Sequence, residues 1–187
     1  MAFWTEQTNE PKRNYRFRVE LTSFGGGGPT TIIWYAKTFK PPSYTVTEVT
    51  HDYLDNKFYY PGRVTWEDCS MQLVDPVSPN AVENTNQVLV NAGYKIKDSG
   101  VATPQTLSKN GMTANLGKVV VTILNAAGDE IEKWELERAW IKGVTFSDLD
   151  YTNDELRTID ITFRYDWAVC TNKGGANPTA EQFKKGN

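Results

Sequence analysis

Thr158-Ile159-Asp160-Ile161-Thr162-Phe163-Arg164-Tyr165-Asp166-Trp167 decides the fold class. Ile159, Ile161, Phe163, Tyr165 and Trp167 fall on one side, and Thr158, Asp160, Thr162, Arg164 and Asp166 on the other. A period of two marks a strand with one covered face. The same alternation runs back to Trp134 through an acidic connector, Ser147-Asp148-Leu149-Asp150-Tyr151-Thr152-Asn153-Asp154. The sequence from Trp134 to Trp167 is therefore expected to be a two-armed β ribbon. It contains no set of groups that could run a reaction.

Outward from this ribbon the chain is mostly strand. Tyr15, Phe17, Val19 and Leu21 alternate with Arg16, Arg18 and Glu20, and after the Gly25–Gly28 turn a strand over about Thr31 to Phe39 is expected to return antiparallel. Pro41-Pro42 stops it, and another strand follows from about Ser43 to Thr50. Lys57 to Tyr60 is expected as a short edge strand, Pro61-Gly62 as a turn, and Arg63 to Val74 as one long strand. Lys118–Leu124 and Glu130–Leu136 form a hairpin around Gly128-Asp129.

One helix is predicted, between Pro79 and Gly93. Asn80 is its N-cap, Glu83 stands where a capping box needs it, and Gly93 supplies the stop. Val82, Leu89 and Gly93 mark its expected inner face, with Ala81, Val88 and Ala92 beside it. Tyr94 to Gly117 is expected to be an irregular loop. The fold class is thus mainly β: an antiparallel β-sandwich or barrel with one α-helix at its edge and extended loops or arms. Residues 1–14 form an N-terminal arm, 15–168 the β domain with the long loop 94–117, and 169–187 a C-terminal tail.

Length and charge limit the functions available. A chain of 187 residues fits one domain. Its net charge of −3, with both signs interspersed, lacks the basic footprint of a nucleic-acid binder. No apolar run approaches the ~20 residues of a membrane span, and the start has no secretory pattern, so no membrane association is expected. Cys69 is expected as a buried strand thiol and Cys170 as a half-exposed one just past the last strand.

Candidate chemistry is sparse. His51 is the sole histidine, in a loop position without the spacing of a triad or zinc site. Glu67-Asp68 are adjacent on an expected strand, so they point apart and cannot flank one glycosidic bond. Asp148, Asp150, Asp154 and Glu155 lack the central glycine and terminal glutamate of a calcium loop. Gly25–Gly28 is followed by a strand and not by the helix a phosphate loop requires. No catalytic, cofactor-binding or metal-binding residue is assigned, and no cofactor is expected. Trp34, Tyr35, Tyr59, Tyr60, Trp66, Trp134, Trp140 and Trp167 could stack sugars or bases, but such residues more often fill sheet cores and subunit contacts.

The residue order carries a further signal in three blocks. They are Pro61-Gly62-Arg63-Val64-Thr65-Trp66-Glu67-Asp68-Cys69-Ser70-Met71-Gln72-Leu73-Val74, the stretch from Trp134 to Val144, and the stretch from Asp150 to the closing Tyr165-Asp166-Trp167. A Gly-Arg strand with Trp-Glu-Asp before the helix, and a final strand ending aromatic-Asp-aromatic, resemble the tail tube protein of contractile-tailed, T-even-like bacteriophages. The same superfamily supplies the inner tubes of pyocins, extracellular contractile injection systems and type VI secretion.

The resemblance implies a homo-hexamer that stacks into a hollow tube inside a tail sheath protein. Baseplate and tail terminator proteins would bound it, and tape measure protein and DNA would occupy the lumen without sequence-specific nucleic-acid binding. It also implies no enzymatic activity, assembly in the host bacterial cytoplasm, and a final place in the virion tail. The Gly25–Gly28 turn, residues 94–117 and the tail after Trp167 depart from the family pattern, so the resemblance assigns them no contact role. Three other readings stand beside it: the inner tube protein of a phage-derived injection or secretion system, pyocin-like or type VI-like; a carbohydrate-binding β-sandwich module built on the aromatics; and a hydrolase built on Glu67, Asp68 or His51.

Overall fold

The computed structural model describes residues 11–24, 30–32, 36–77, 80–94, 106–152 and 154–172. Most of the N-terminal arm, the Gly25–Gly28 turn, Trp34 and Tyr35 lie outside them. The described chain runs β1 (Phe17–Leu21), β2 (Thr30–Ile32), β3 (Ala36–Phe39), β4 (Tyr44–Tyr53), β5 (Asn56–Trp66), β6 (Cys69–Val74), α1 (Ala81–Asn91), α2 (Lys109–Leu116), β7 (Val119–Leu124), β8 (Glu130–Glu137), β9 (Trp140–Phe146), β10 (Thr158–Arg164) and β11 (Trp167–Asn172).

Two antiparallel sheets make the sandwich. One has the order β11-β8-β7-β1-β2 and the other β3-β6-β10-β9, and they do not close into a barrel among the described residues. The alternation expected over residues 159–163 is realised directly. Ile159, Ile161 and Phe163 are fully buried in β10, and they meet Val19, Leu21, Val119 and Leu136 of the other sheet in one core cluster. Burying such side chains contributes about 1.5–3 kcal/mol each, the main favourable term holding two sheets together.

The ribbon itself is more than a hairpin. Only β9 and β10 pair as its arms, from Ile159 opposite Phe146 to Arg164 opposite Trp140. On either side of that pair the chain changes sheet. Between β8 and β9 it turns at Arg138, whose φ of 55° lies in the left-handed region, and at the fully buried Ala139. Between β10 and β11 it turns at Tyr165-Asp166, and the two corners are tied by Asp166 N–H donating to the Glu137 carbonyl at 3.1 Å. Strands that cross between sheets at matched corners keep both inner faces apolar.

Four expectations are corrected. The strand expected over Thr31 to Phe39 is two, β2 on β1 in one sheet and β3 on β6 in the other. Pro61-Gly62 is not a turn: β5 continues through it with a bulge, and the hairpin reverses at Leu54-Asp55. Arg63 to Val74 breaks at Glu67-Asp68, so that its first part belongs to the β4–β5 hairpin and its second to the sandwich, which explains its mixed faces. Cys170 and residues 169–172, assigned to the tail, lie in β11, paired to β8 from Trp167 opposite Glu137 to Asn172 opposite Glu132.

The helical layer also differs from expectation. In α1 the Asn80 side chain accepts from the Glu83 N–H at 3.1 Å as predicted. The most deeply buried positions are Ala81, Thr85, Val88 and Ala92, not Val82 and Leu89, which are partly buried. Thr85 is tolerated there because its hydroxyl donates to the Ala81 carbonyl at 2.7 Å. The expected loop 94–117 contains a second helix, α2, capped by Ser108 and buried at Met112 and Leu116. The two helices pack closely at Gly111, where a Cβ would stand 2.9 Å from the Ala92 carbonyl oxygen. No described helix is long and apolar enough to cross a membrane.

Candidate assembly site

The feature that the sandwich does not absorb is the β4–β5 hairpin, which forms a separate two-stranded sheet. Every residue of β4 is exposed, as is every residue of β5 except Trp66. Yet its composition is that of a buried element. Val46, Val49, Phe58, Tyr59, Tyr60 and Val64 are 48–63 % exposed. An isolated hairpin is marginally stable in water, so one this long requires an anchor at its base and a surface to lie against.

The anchor is built from three elements. At the root Trp66 faces Tyr44 edge-on with ring centroids 5.2 Å apart, and it lies 5.9 Å from the Tyr165 ring. Arg164 donates from Nη1 to the Trp66 carbonyl at 2.8 Å and to Asp68 Oδ1 at 2.9 Å. Lys142 of β9 donates to Asp68 Oδ2 at 2.5 Å. Lys142 and then Arg164 outweigh a burial penalty that lies between them in size, and they hold the Asp68 carboxyl below its ordinary range. Below it, burial pushes the Cys69 thiol up to about 11 and raises the Tyr165 phenol as well.

A bulge sets the two faces of the hairpin. Val46 pairs with Val64 and Glu48 with Pro61, so Gly62 and Arg63 together oppose Thr47. The Thr47 hydroxyl takes the Arg63 N–H at 2.9 Å, and a Cβ on Gly62 would lie 2.3 Å from that hydroxyl oxygen and 2.8 Å from the Thr47 carbonyl oxygen. Glycine is required by this close approach. The extra residue reverses the alternation of β5 beyond it. Tyr44, Val46, Val64 and Trp66 therefore share one face near the root, while Val49, Tyr53, Phe58 and Tyr60 share the opposite face toward the tip.

The residues weighed as catalytic do not gather. His51 is exposed opposite Phe58 near the hairpin tip. Glu67 and Asp68 sit in the connection between β5 and β6, not within a strand as expected, with Asp68 held in the anchor and Glu67 accepting from Thr45 at 3.3 Å. Asp148, Asp150 and Glu155 border a shallow depression with Lys37 and Arg157. Asp150 there accepts both the Thr152 N–H and hydroxyl at 2.9 Å, bonds that lower its pKa. Among the described residues no three His, Cys, Asp or Glu side chains cluster as metal ligands would.

The described aromatics form no common platform either. Trp66, Trp134 and Trp140 pack against the core, the Trp167 ring lies under Arg138 at 5.2 Å, and Tyr59 and Tyr60 point to opposite faces of the hairpin. Sequence reasoning missed Tyr44, Val46, Val49, Tyr53, Phe58 and Val64 as a group. The available signal was their alternation on both sides of Leu54-Asp55.

No protein-family model and no curated protein sequence matches the chain. Solved structures do. A chain of the anti-feeding prophage baseplate, solved with 6-fold symmetrisation, superposes with a TM-score of 0.65 at 15% identity, covering 87% of this chain and 97% of its own. A chain of the anti-feeding prophage tube-terminating cap gives 0.58 at 17% identity over 92% and 100%. A chain of the extended sheath–tube complex of the PVC extracellular contractile injection system gives 0.59 at 16% identity over 90% and 99%. The fold of this chain is thus the one found in components of contractile injection assemblies, in agreement with the inner-tube superfamily that its residue order resembles.

Proposed function

We propose that the chain is a structural, non-enzymatic subunit of the inner tube of a phage contractile tail, assembled as stacked hexameric rings whose channel conducts viral DNA into the host. The β4–β5 hairpin carries this reading. A two-stranded arm with apolar side chains on both faces has no use in a monomer and is suited to insertion between neighbouring copies. The fold likeness to chains of a sheath–tube complex, a tube-terminating cap and a 6-fold baseplate supports a tube with a sheath around it and terminator and baseplate proteins at its ends.

The charge distribution supports DNA passage, with tape measure protein in the channel beforehand. The outward face of β1 and β8, with Lys118 just before β7, interleaves both signs: Arg18 with Glu20 at 2.8 Å and Glu130 at 2.7 Å, Lys118 with Glu137 at 2.9 Å, and Lys133 with Glu135 at 2.7 Å. Such a surface has little to gain from releasing DNA counterions and would let a polyanion slide. Location in the virion tail follows from the same reading.

Electron microscopy of concentrated purified protein, and of particles immunolabelled for this chain, tests the proposal. Stacked annular rings with an open channel are expected. Monomers at all concentrations, and label absent from tails, would sink it.

A further inference from the structure

A groove of about 690 Å³ runs between the helical layer and the start of β9. Leu89 of α1, Met112 of α2, and Trp140 and Ile141 of β9 form its floor, and Leu107 stands exposed at its lip. Leu89 and Trp140 are only partly covered by the subunit itself. Lys109, Lys142 and Arg164 line the groove against one lining carboxylate, Asp166. Asp68, bonded to Lys142 and Arg164, is offset by Arg138 beside Asp166, so the apolar floor lies within a wall of net positive charge.

The far end of the same ribbon has the opposite chemistry. β9 and β10 pair antiparallel from Phe146 opposite Ile159 to Trp140 opposite Arg164, so their connector leaves the pair about 20 Å from the groove. In the described part of the connector, residues 147–152 and 154–157, Leu149, Tyr151 and Leu156 are each 73 % exposed or more. Three large apolar side chains this open on one loop mark a contact surface. Asp148, Asp150, Asp154 and Glu155 around them outnumber Arg157 and the neighbouring Lys37. The Thr152 N–H and hydroxyl, both bonded to Asp150 at 2.9 Å, hold the backbone on either side of Tyr151 and leave its ring at the crest.

We propose that the β9–β10 connector of one copy docks in the groove of a second copy, with its apolar side chains over Leu89 and Trp140 and its carboxylates against Lys109 and Lys142. The contact rests on the self-assembling tube reading and supplies one of its joints. Complementary charge and matching apolar surface favour this occupant. An isologous pair would set acidic connector against acidic connector, so the contact is heterologous. Its two halves sit at opposite ends of one strand pair, and each copy can therefore take one neighbour at either end.

Asp148→Lys with Asp154→Lys reverses the connector, and Leu107→Glu with Lys109→Glu reverses the groove. All four positions are exposed, and neither pair touches the Asp68 anchor. Each variant alone should sediment as small species at concentrations where the unaltered chain forms large ones. An equimolar mixture should recover the large species, because an unaltered groove then meets an unaltered connector and the two reversed surfaces match each other. No recovery on mixing would overturn the proposal. Normal rings from either variant alone would overturn it and leave the tube reading standing, whereas an unaltered chain that stays small at every concentration would overturn both. A second measurement needs no charge reversal: photoreactive p-benzoylphenylalanine replaces Tyr151 in ¹⁵N-labelled chain, which is mixed with unlabelled chain and irradiated. Adducts joining the two isotopes within residues 107–112 or 140–142 are expected by mass spectrometry. Adducts confined to one copy, or to other residues, would overturn the contact.

Discussion

Asp68 fastens the hairpin to the sandwich. It bonds one cation from β9 and another from β10, and that second cation, Arg164, also holds the Trp66 carbonyl. The group is partly open to solvent, so the pairs are worth less than buried ones. Asp68→Ala should still cost about 1–2 kcal/mol, because charge-assisted hydrogen bonds are lost and two cations are left facing each other. Urea unfolding would read this as a lower midpoint. A depressed folded pKa means that this stability is present above the ordinary carboxylate value of about 3.9 and is lost as pH falls below it. Asp68→Ala should therefore flatten the acid limb of the stability profile.

Cys69 titrates in the opposite sense. Burial raises its folded pKa from 9.0 to about 11, so its contribution is complete below pH 9 and is lost as pH rises through about 11. Tyr165 adds in the same direction at higher pH. Stability between pH 9 and 11 should decline, and Cys69→Ala should remove that part of the slope. Alkylation of Cys69 in the folded protein at pH 8 should run only as fast as the protein unfolds, which mass spectrometry of iodoacetamide-treated samples can follow.

At the scale of elements, the hairpin shows where sequence reasoning reaches its limit. Ile159–Tyr165 was legible because its period of two is local and its burial follows from it. The α1 cap was legible because Asn80 and Glu83 are neighbours in sequence. Pro61-Gly62 was not, because a turn and a bulge use the same residues. What separates them is Thr47, fifteen positions away, which supplies both the hydrogen bond and the close approach. Likewise α2 has only Met112 and Leu116 to mark its inner face, and the reason for Gly111 lies on α1. Gly62→Ala forces Thr47 aside and should disorder the hairpin beyond the bulge. The sandwich core does not depend on that arm, so the thermal midpoint should move little. Hydrogen exchange should quicken across Val49–Tyr60 and stay slow in β10; loss of protection in β10 as well would refute this separation.

The described residues make a two-sheet sandwich carrying an exposed arm, and the bulge decides how that arm can be covered. Tyr44, Val46 and Val64 lie on one face at the root and Val49, Tyr53, Phe58 and Tyr60 on the opposite face toward the tip, while Tyr59 continues the root face. A single flat partner could cover only one of these patches. An arm inserted between two surfaces would bury both, as stacked or ring-forming copies would provide. Val46→Lys with Val64→Lys alters the root patch alone, and Val49→Lys with Phe58→Lys alters the tip patch alone. All four positions are exposed in the subunit, so each pair should leave the unfolding midpoint within about 0.5 kcal/mol of the unaltered chain. Each pair should nonetheless block assembly, since lysine at a buried contact costs far more than it does in water. Sedimentation velocity at increasing concentration would show small species for both variants where the unaltered chain forms large ones. Normal assembly by either variant would show that its face stays solvated and that the arm is covered on one side only.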